Sequence, residues 1–308
     1  MASNLLLGLD IGTSWIKVVL AENMKGRPAL RLIFKQPSLG LRRGAIVDLG
    51  ETSQVVGRAL FEVKKLYKSA LKNIYVNIGS TQVKAQSSRG IVAVSRADNE
   101  IYQDDIDRAI RASQAVNLAA NRTIIHNVTR EFIIDGIGDV TDPLGLSGSR
   151  LEVVSLIIDA FSPHIKSLTR AIELSGGRLA GMFFGPIVAS RAVLSKKQKD
   201  LGVALIDIGA GTTGLSVYEE NKLIGVAKFP VGAANISNDL AIALKIPVSA
   251  AEDLKIDVGC AVAREISSKE SVDLKKFFPA AQGTPQRRYI AEIIEVRVAE
   301  IFEFVNNE

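Results

Sequence analysis

Apolar residues in this chain follow two rhythms. They crowd into short runs from Leu5 to Leu9 and from Trp15 to Leu20, on either side of a turn at Gly12-Thr13-Ser14, which predicts a β-hairpin over residues 4–20. Arg27 to Phe34 reads as a third strand, and Ile74 to Ile78 as a short buried strand ending at Gly79. Between them the spacing changes to three and four. From about Thr52 to Leu71, the residues Val55, Val56, Ala59, Leu60, Val63 and Leu66 share one helical face.

The character then shifts. Val83 to Val94 reads as extended chain, and Asp104 to Ala120 as a helix with Ile106, Ala109, Ile110, Ser113 and Val116 on one side. Thr123 to Ile134 alternates like one strand or two. Asp139 to Arg150 is rich in turn residues, Leu151 to Phe161 is a strand, and a helix from Pro163 or His164 to Ser175 is closed by Gly176-Gly177. Residues 84–162 thus form a small α+β block inserted in a first lobe made of 1–83 and 163–195. The second lobe, 196–308, follows a strand at Leu179 to Phe184 and a crossing segment at Gly185 to Leu194. It carries predicted helices at Ala234 to Leu244 and Ala250 to Val258. Lys269 to Arg288, with Pro279, Gly283 and Pro285, is expected to be a mobile loop. The last segment lines up Ile290, Ile293, Ile294, Val298, Ile301, Phe302 and Val305. Its polar face carries Glu292, Glu295, Glu300 and Glu303, which anionic lipid would repel, so a packing helix is favoured over a membrane-surface one.

One pattern occurs twice. Leu7-Gly8-Leu9-Asp10-Ile11-Gly12-Thr13-Ser14 returns, altered, as Leu205-Ile206-Asp207-Ile208-Gly209-Ala210-Gly211-Thr212-Thr213. Each copy is an apolar run ending in an aspartate, a turn through glycine and hydroxyl residues, and a second strand. Gly12, Gly209 and Gly211 permit positive φ and close approach of the backbone to a ligand, so that several N–H groups can face one anion. Thr13, Ser14, Thr212 and Thr213 add hydroxyls. Lys17 offers a charge for a β- or γ-phosphate. Asp10 and Asp207 can organise a hydrated Mg²⁺, which prefers oxygen ligands and keeps its waters. Either copy alone could be an ordinary glycine-rich hairpin; two copies that repeat their polar residues point to two lobes holding one nucleotide. Neither is a Walker A loop or a G-x-G-x-x-G fingerprint, because no G-K-[ST] follows and each turn leads into a strand.

Composition narrows the field. The 308 residues are 47% hydrophobic, enough for more than one domain, with no compositional sign of disorder. The net charge of +5 is dispersed, and aromatics, at 6%, are not interleaved with the small clusters Lys64-Lys65 and Lys196-Lys197-Lys199, so no nucleic-acid partner is expected. Cys260 is alone, which rules out an internal disulfide and suits a reducing compartment. His126 and His164 belong to no metal-ligand spacing and are read as structural or surface residues. The N-terminus lacks a signal-peptide pattern, and no segment approaches twenty uninterrupted apolar residues.

These motifs resemble the actin-like ATPase superfamily and, more closely, the bacterial cell-division proteins of the FtsA family, along nearly the whole chain. Gly8 to Ser14 with Lys17 is similar to that family's first phosphate motif, Gly202 to Thr213 to its second, and Arg43-Gly44-Ala45-Ile46-Val47-Asp48 to the stretch after the first. Asp142-Pro143-Leu144-Gly145-Leu146-Ser147-Gly148-Ser149-Arg150-Leu151-Glu152 resembles the 1C subdomain loop and is the most specific marker. Asn238 to Ala241, Ala251 to Lys255 and Gly259 match the segment that contacts adenosine, which makes Glu252 and Lys255 the implied nucleoside contacts. Spacing alone says only that these two share a helical face.

The resemblance implies an α/β, actin-like two-lobed fold of duplicated RNase H-like domains with an inserted α+β 1C-type subdomain. It implies ATP and Mg²⁺ as ligands and head-to-tail polymerisation. It also implies binding of the FtsZ C-terminal tail through a region within about 235–308, and of other divisome proteins through the 1C-like block. The location implied is the cytoplasmic face of the inner membrane at the division septum. The family continues past the last helix into a glycine-rich adenosine motif and a basic amphipathic membrane helix, so the chain is expected to be truncated and to lack that anchor. Gly214 stands where an acidic residue is common, and Gly185-Pro186-Ile187-Val188-Ala189-Ser190 offers no side chain to orient an attacking water, so weak ATP hydrolysis at most is expected. The catalytic candidates are Asp10 and Asp207. Two alternatives stay open: a PilM-like component of type IV pilus machines, and a small-molecule kinase of the same superfamily.

Overall fold

The computed structural model describes residues 5–24 and 26–308. The chain divides into two compact units, Met1–Asp207 with Gly214–Lys228, and Ile208–Thr213 with Phe229–Glu308.

The first unit opens with β1 (Leu5–Ile11), β2 (Trp15–Met24) and β3 (Arg27–Pro37), antiparallel to one another in sequence order. A two-residue pair, β4 (Leu41–Arg42) and β5 (Ala45–Ile46), leads to α1 (Leu49–Tyr67). Asp48 caps α1 by accepting the Glu51 N–H at 2.8 Å. β6 (Ile74–Ile78) then runs parallel to β1. Alternation decides which side of this sheet is dry. Leu7, Leu9, Ile11, Ile16, Val18 and Leu20 are buried in one cluster with Val55, Val56, Ala59, Leu60 and Val63 of α1. The other face of β1 and β2 carries Asp10, Trp15 and Lys17.

An inserted antiparallel sheet follows: β7 (Val83–Ala93), α2 (Gln103–Ser113), β8 (Arg122–Ile134), β9 (Ile137–Val140) and β10 (Arg150–Phe161), with strand order β7-β10-β8-β9. β8 and β9 are joined by Asp135-Gly136, both at positive φ, as a two-residue type I′ hairpin requires. α2 packs over Val94, Phe132, Ile134, Leu151 and Val153. The expected helix to Ala120 stops at Ser113. The Ile110 carbonyl that would accept the next helical N–H instead accepts the Ser113 hydroxyl at 2.7 Å and the Asn127 amide at 3.4 Å, and Gln114 N–H turns to Arg111 O.

α3 (Ser162–Leu174) is followed by Ser175 and then Gly176, φ +80°, and β11 (Leu179–Phe184) joins the first sheet parallel to β6, for the order β11-β6-β1-β2-β3. α4 (Gly185–Val193) and α5 (Lys196–Leu201) lead to a three-stranded sheet of β12 (Val203–Ile208), β13 (Thr213–Glu219) and β14 (Lys222–Phe229). Glu220-Asn221, at φ +49° and +61°, turns β13 into β14. Leu156, Ile158, Phe184, Ile187, Tyr218, Leu223 and Val226 share one core.

The second unit is helical: α6 (Ala233–Leu244), α7 (Val248–Val258) and α8 (Arg287–Asn306). α8 is a packing helix, with Ile290 and Ile294 in a core with Leu240, Ala251 and Leu254, and with Arg297 clamped on Asp239 at 2.6 and 3.1 Å. The expected loose loop at 269–288 is instead pinned. Val272, Leu274 and Ala281 are buried in that same core, and Val272 N–H and Arg287 N–H bond Pro285 O and Glu270 O at 3.0 and 2.9 Å. Among the described residues no helix is long and apolar enough to cross a membrane.

Candidate functional site

The first turn is built by register. Asp10 and Lys17 face each other directly across β1 and β2, on the side away from α1, and Lys17 Nζ lies 2.9 Å from Asp10 Oδ2. The turn closes with Gly12 N–H on Trp15 O at 3.0 Å. No acceptor among the described residues takes the N–H of Thr13 or Ser14, so both remain available to an anion. Thr13 Oγ1 accepts Gly44 N–H at 3.1 Å and keeps its own proton to donate. This places the Arg43 to Asp48 stretch against the turn. Ser14 is exposed.

The second turn repeats the closure, with Gly209 N–H on Thr212 O at 2.9 Å. Asp207 is exposed on β12, and Gly211 is half-buried. Thr212 is buried to 8% exposure, and its hydroxyl makes no hydrogen bond among the described residues. Thr213 differs from expectation: it is wholly buried and donates its hydroxyl to Val231 O at 2.9 Å, so it holds the turn instead of offering that proton to a ligand. The glycines also have another cause than expected. Neither Gly12 nor Gly209 has positive φ. A Cβ on Gly12 would lie 2.9 Å from Trp15 O, and one on Gly209 3.1 Å from Thr212 O, so close packing of the turn itself excludes a side chain.

Asp10, Lys17, Asp207 and Lys228 form an electrostatic group in the first unit. The hydrogen bond to Asp10 raises the Lys17 ammonium above its ordinary range against the effect of burial, helped by the charges of Asp10 and Asp207. Burial lowers Lys228 on β14, with Asp207 and then Asp10 opposing. Lys228 Nζ sits 5.9 Å from the Phe184 ring centroid and makes no hydrogen bond or ion pair among the described residues. Sequence reasoning missed it. The available signal was a lysine two positions past the buried Val226, hence on the same face of a strand.

The crossing segment from Gly185 to Leu194 contains no Asp, Glu or Gln. Pro186 and Ile187 start α4, and the buried Ser190 hydroxyl is held by Ile187 O and Tyr218 Oη, each at 2.8 Å. Gly214 faces Pro186, whose Cγ would be 2.7 Å from a Cβ at 214.

In the second unit Glu252 and Lys255 meet on α7 at 2.7 Å. Lys255 also donates to Ser237 Oγ at 3.0 Å and Ala233 O at 3.2 Å, and Ser237 donates to Glu252. Burial acts to raise the Glu252 carboxyl, but Lys255 and Ser237 outweigh it and hold it below its usual range. Ala233 and Ala234 in turn donate to Gly209 O and Ala210 O at 2.9 and 2.8 Å. The turn, the start of α6 and the Glu252–Lys255 pair are therefore one connected assembly. His126 and His164 are structural: His126 Nε2 accepts Phe184 N–H at 2.9 Å, and His164 Nδ1 lies 2.6 Å from Ser80 Oγ.

Two family models match the chain, one described as the SHS2 domain inserted in FtsA, over residues 80–158, and one as cell division protein FtsA, over residues 204–295. Cell division protein FtsA of Bacillus subtilis is 33% identical over 306 residues, covering 99% of this chain and 70% of that protein. FtsA of Pseudomonas aeruginosa is 29% identical, covering all of this chain and 73% of its own length. Among solved structures, a PilM–PilN type IV pilus biogenesis complex aligns with a TM-score of 0.67 at 15% identity, over 98% of this chain and 75% of its own. MreB5 of Spiroplasma citri bound to AMPPNP aligns at 0.54 and 12%, over 99% and 78%. These structures share the actin-like ATPase fold. By its identity to the B. subtilis protein along almost its whole length, the chain belongs to the FtsA family of cell-division proteins.

Proposed function

We propose that this protein binds ATP with Mg²⁺ and acts as an actin-like adaptor at the division septum. In this reading it polymerises head to tail and links the FtsZ C-terminal tail to the cytoplasmic face of the inner membrane. The observation that carries the nucleotide part is the first turn: two N–H groups without acceptors among the described residues, a threonine hydroxyl that donates to none of them, and the Asp10–Lys17 pair beside it, with which Asp207 and Lys228 interact electrostatically. Such a turn suits polyphosphate oxygens.

The residues fit Mg²⁺ in kind. Asp10 and Asp207 offer carboxylate oxygens, the donors preferred by an ion that keeps its waters and takes one or two carboxylates plus phosphate. Asp10 and Asp207 would hold it through water, and its contribution would be to neutralise phosphate charge. Gly12, Thr13, Ser14, Lys17, Gly209, Gly211 and Thr212 would bind phosphates, with Thr213 fixing the second turn. Glu252 and Lys255 would present to the nucleoside the face that their mutual pair leaves open. The Gly214–Pro186 contact and the enclosed Ser190 support binding with weak hydrolysis at most. In this reading 1–83 with 163–195 and 196–308 are the two lobes, and 84–162 is the assembly block that meets other divisome proteins.

The test is calorimetry with Mg-ATP. Asp10→Ala or Thr13→Ala is expected to weaken binding at least about tenfold, or ~1.4 kcal/mol; unchanged affinity in both would defeat the assignment. An FtsZ-tail peptide should bind this chain and should not bind a PilM-type protein. ADP release stimulated by a sugar would instead support a kinase.

A further inference from the structure

Lys228 is unlike the other enclosed cations of this chain. Arg122 is paired with Asp159, Lys222 with Asp139 at 2.6 Å, Lys255 with Glu252, and Arg297 with Asp239. Arg130, which has no carboxylate, donates to the Leu223 and Ile224 carbonyls. Each has an oxygen in contact. Among the described residues the Lys228 ammonium has none. Its near neighbours are the Phe184 ring, 5.9 Å to the centroid, and Gly185, where a Cβ would stand 3.8 Å from Nζ. Removing an ammonium from water without supplying an acceptor is costly, and a charged group kept in that condition is poised for an oxygen it does not yet have.

The surrounding charges say what kind of oxygen. Asp10 is already engaged by Lys17 at 2.9 Å, and Asp207 makes no hydrogen bond among the described residues. Both aspartates act on Lys228 electrostatically, without touching it. Two lysines stand against two aspartates, so the group holds no excess positive charge before a ligand arrives. A polyphosphate brings several negative charges, and of the two cations only Lys228 is not already committed to a carboxylate. Its four-carbon stem gives it reach that Lys17, tethered to Asp10, lacks.

We propose that Lys228 is a further phosphate ligand of the nucleotide site, a cation built into β14 that lets the chain hold a nucleoside di- or triphosphate with reduced dependence on divalent metal. This rests on the nucleotide-binding reading above. It adds to it a residue and a metal dependence.

The experiment is equilibrium binding of ATP, and of inorganic tripolyphosphate, to the 308-residue chain and to Lys228→Met and Lys228→Arg, each in Mg²⁺ and in EDTA. Wild type is expected to lose less than about tenfold in affinity for ATP on removing Mg²⁺. Lys228→Met is expected to lose at least about tenfold more than wild type in EDTA, for both probes, and only a few-fold in Mg²⁺. Lys228→Arg should retain most of the metal-free binding. Methionine fits an enclosed site, so thermal unfolding of Lys228→Met should be unchanged or raised; if it fails to fold, Lys228→Gln takes its place. Equal affinities of wild type and Lys228→Met in EDTA overturn the role of Lys228 and leave the nucleotide reading standing. A wild type that binds neither probe in Mg²⁺ overturns both.

Discussion

Gly214 and Pro186 exclude a side chain from each other's space, with the proline Cγ 2.7 Å from where a Cβ on residue 214 would sit. The two positions are separate oddities in the sequence and one contact in the fold. A carboxylate at 214 cannot be accommodated while Pro186 starts α4.

Gly214→Ala is therefore expected to destabilise by about 1–3 kcal/mol through overpacking. In a Pro186→Ala background the loss should shrink by more than half. Urea unfolding of the four proteins in the cycle measures this, and additive losses would show that the two residues are not coupled.

Arg122 and Asp159 tie β8 to β10, with Asp159 only 2% exposed, and Arg122 donates a further bond to Asp159 O at 3.2 Å. Arg122→Met leaves a buried carboxylate unpaired and should cost about 3 kcal/mol or more. Adding Asp159→Asn should recover part of it, read in the same unfolding assay.

His126 must keep Nε2 unprotonated to accept Phe184 N–H. Burial, then Arg191, lowers its pKa from 6.5. The unfolded chain therefore takes up a proton near pH 6.5 while the native chain does not. The stability this residue contributes is complete above about pH 6.5 and declines as pH falls through that value toward its lower native pKa. Tm measured from pH 7.5 to 5 should fall more steeply for wild type than for His126→Gln; parallel curves would count against this.

Lys255 bonds three acceptors on α6 and α7. Lys255→Met should cost about 1–2 kcal/mol, kept modest because water screens the half-exposed Glu252 carboxylate. If Lys255 also meets nucleoside, ATP affinity should fall in Lys255→Met while tripolyphosphate affinity does not.

The strands of the first sheet were legible because alternation is a local property: Leu7, Leu9 and Ile11 point one way, and Asp10 must point the other. The repeat of an aspartate and a glycine turn was legible for the same reason. What a hydroxyl does was not. Thr212 and Thr213 look alike in the sequence, and only the approach of Val231 O shows which of the two hydroxyls is held by the backbone. The premature end of α2 depends on Asn127, 17 residues beyond the Ile110 carbonyl it takes. The core role of Val272, Leu274 and Ala281 was hidden because three apolar residues without period, among prolines and glycines, read the same in a loop as in a packed segment. Lys228 was hidden because nothing in a strand sequence shows that a lysine will lack an oxygen partner.

The two bonds from Ala233 and Ala234 to the carbonyls of Gly209 and Ala210 have a mechanical reading. α6 has 12 residues and is about 18 Å long. Bolted at its first turn to the Gly209–Gly211 loop, it works as a rigid arm. Any tilt imposed at that loop would be carried to the Leu244 end as a displacement set by that length, so whatever touches the far tip would feel a change made at the loop.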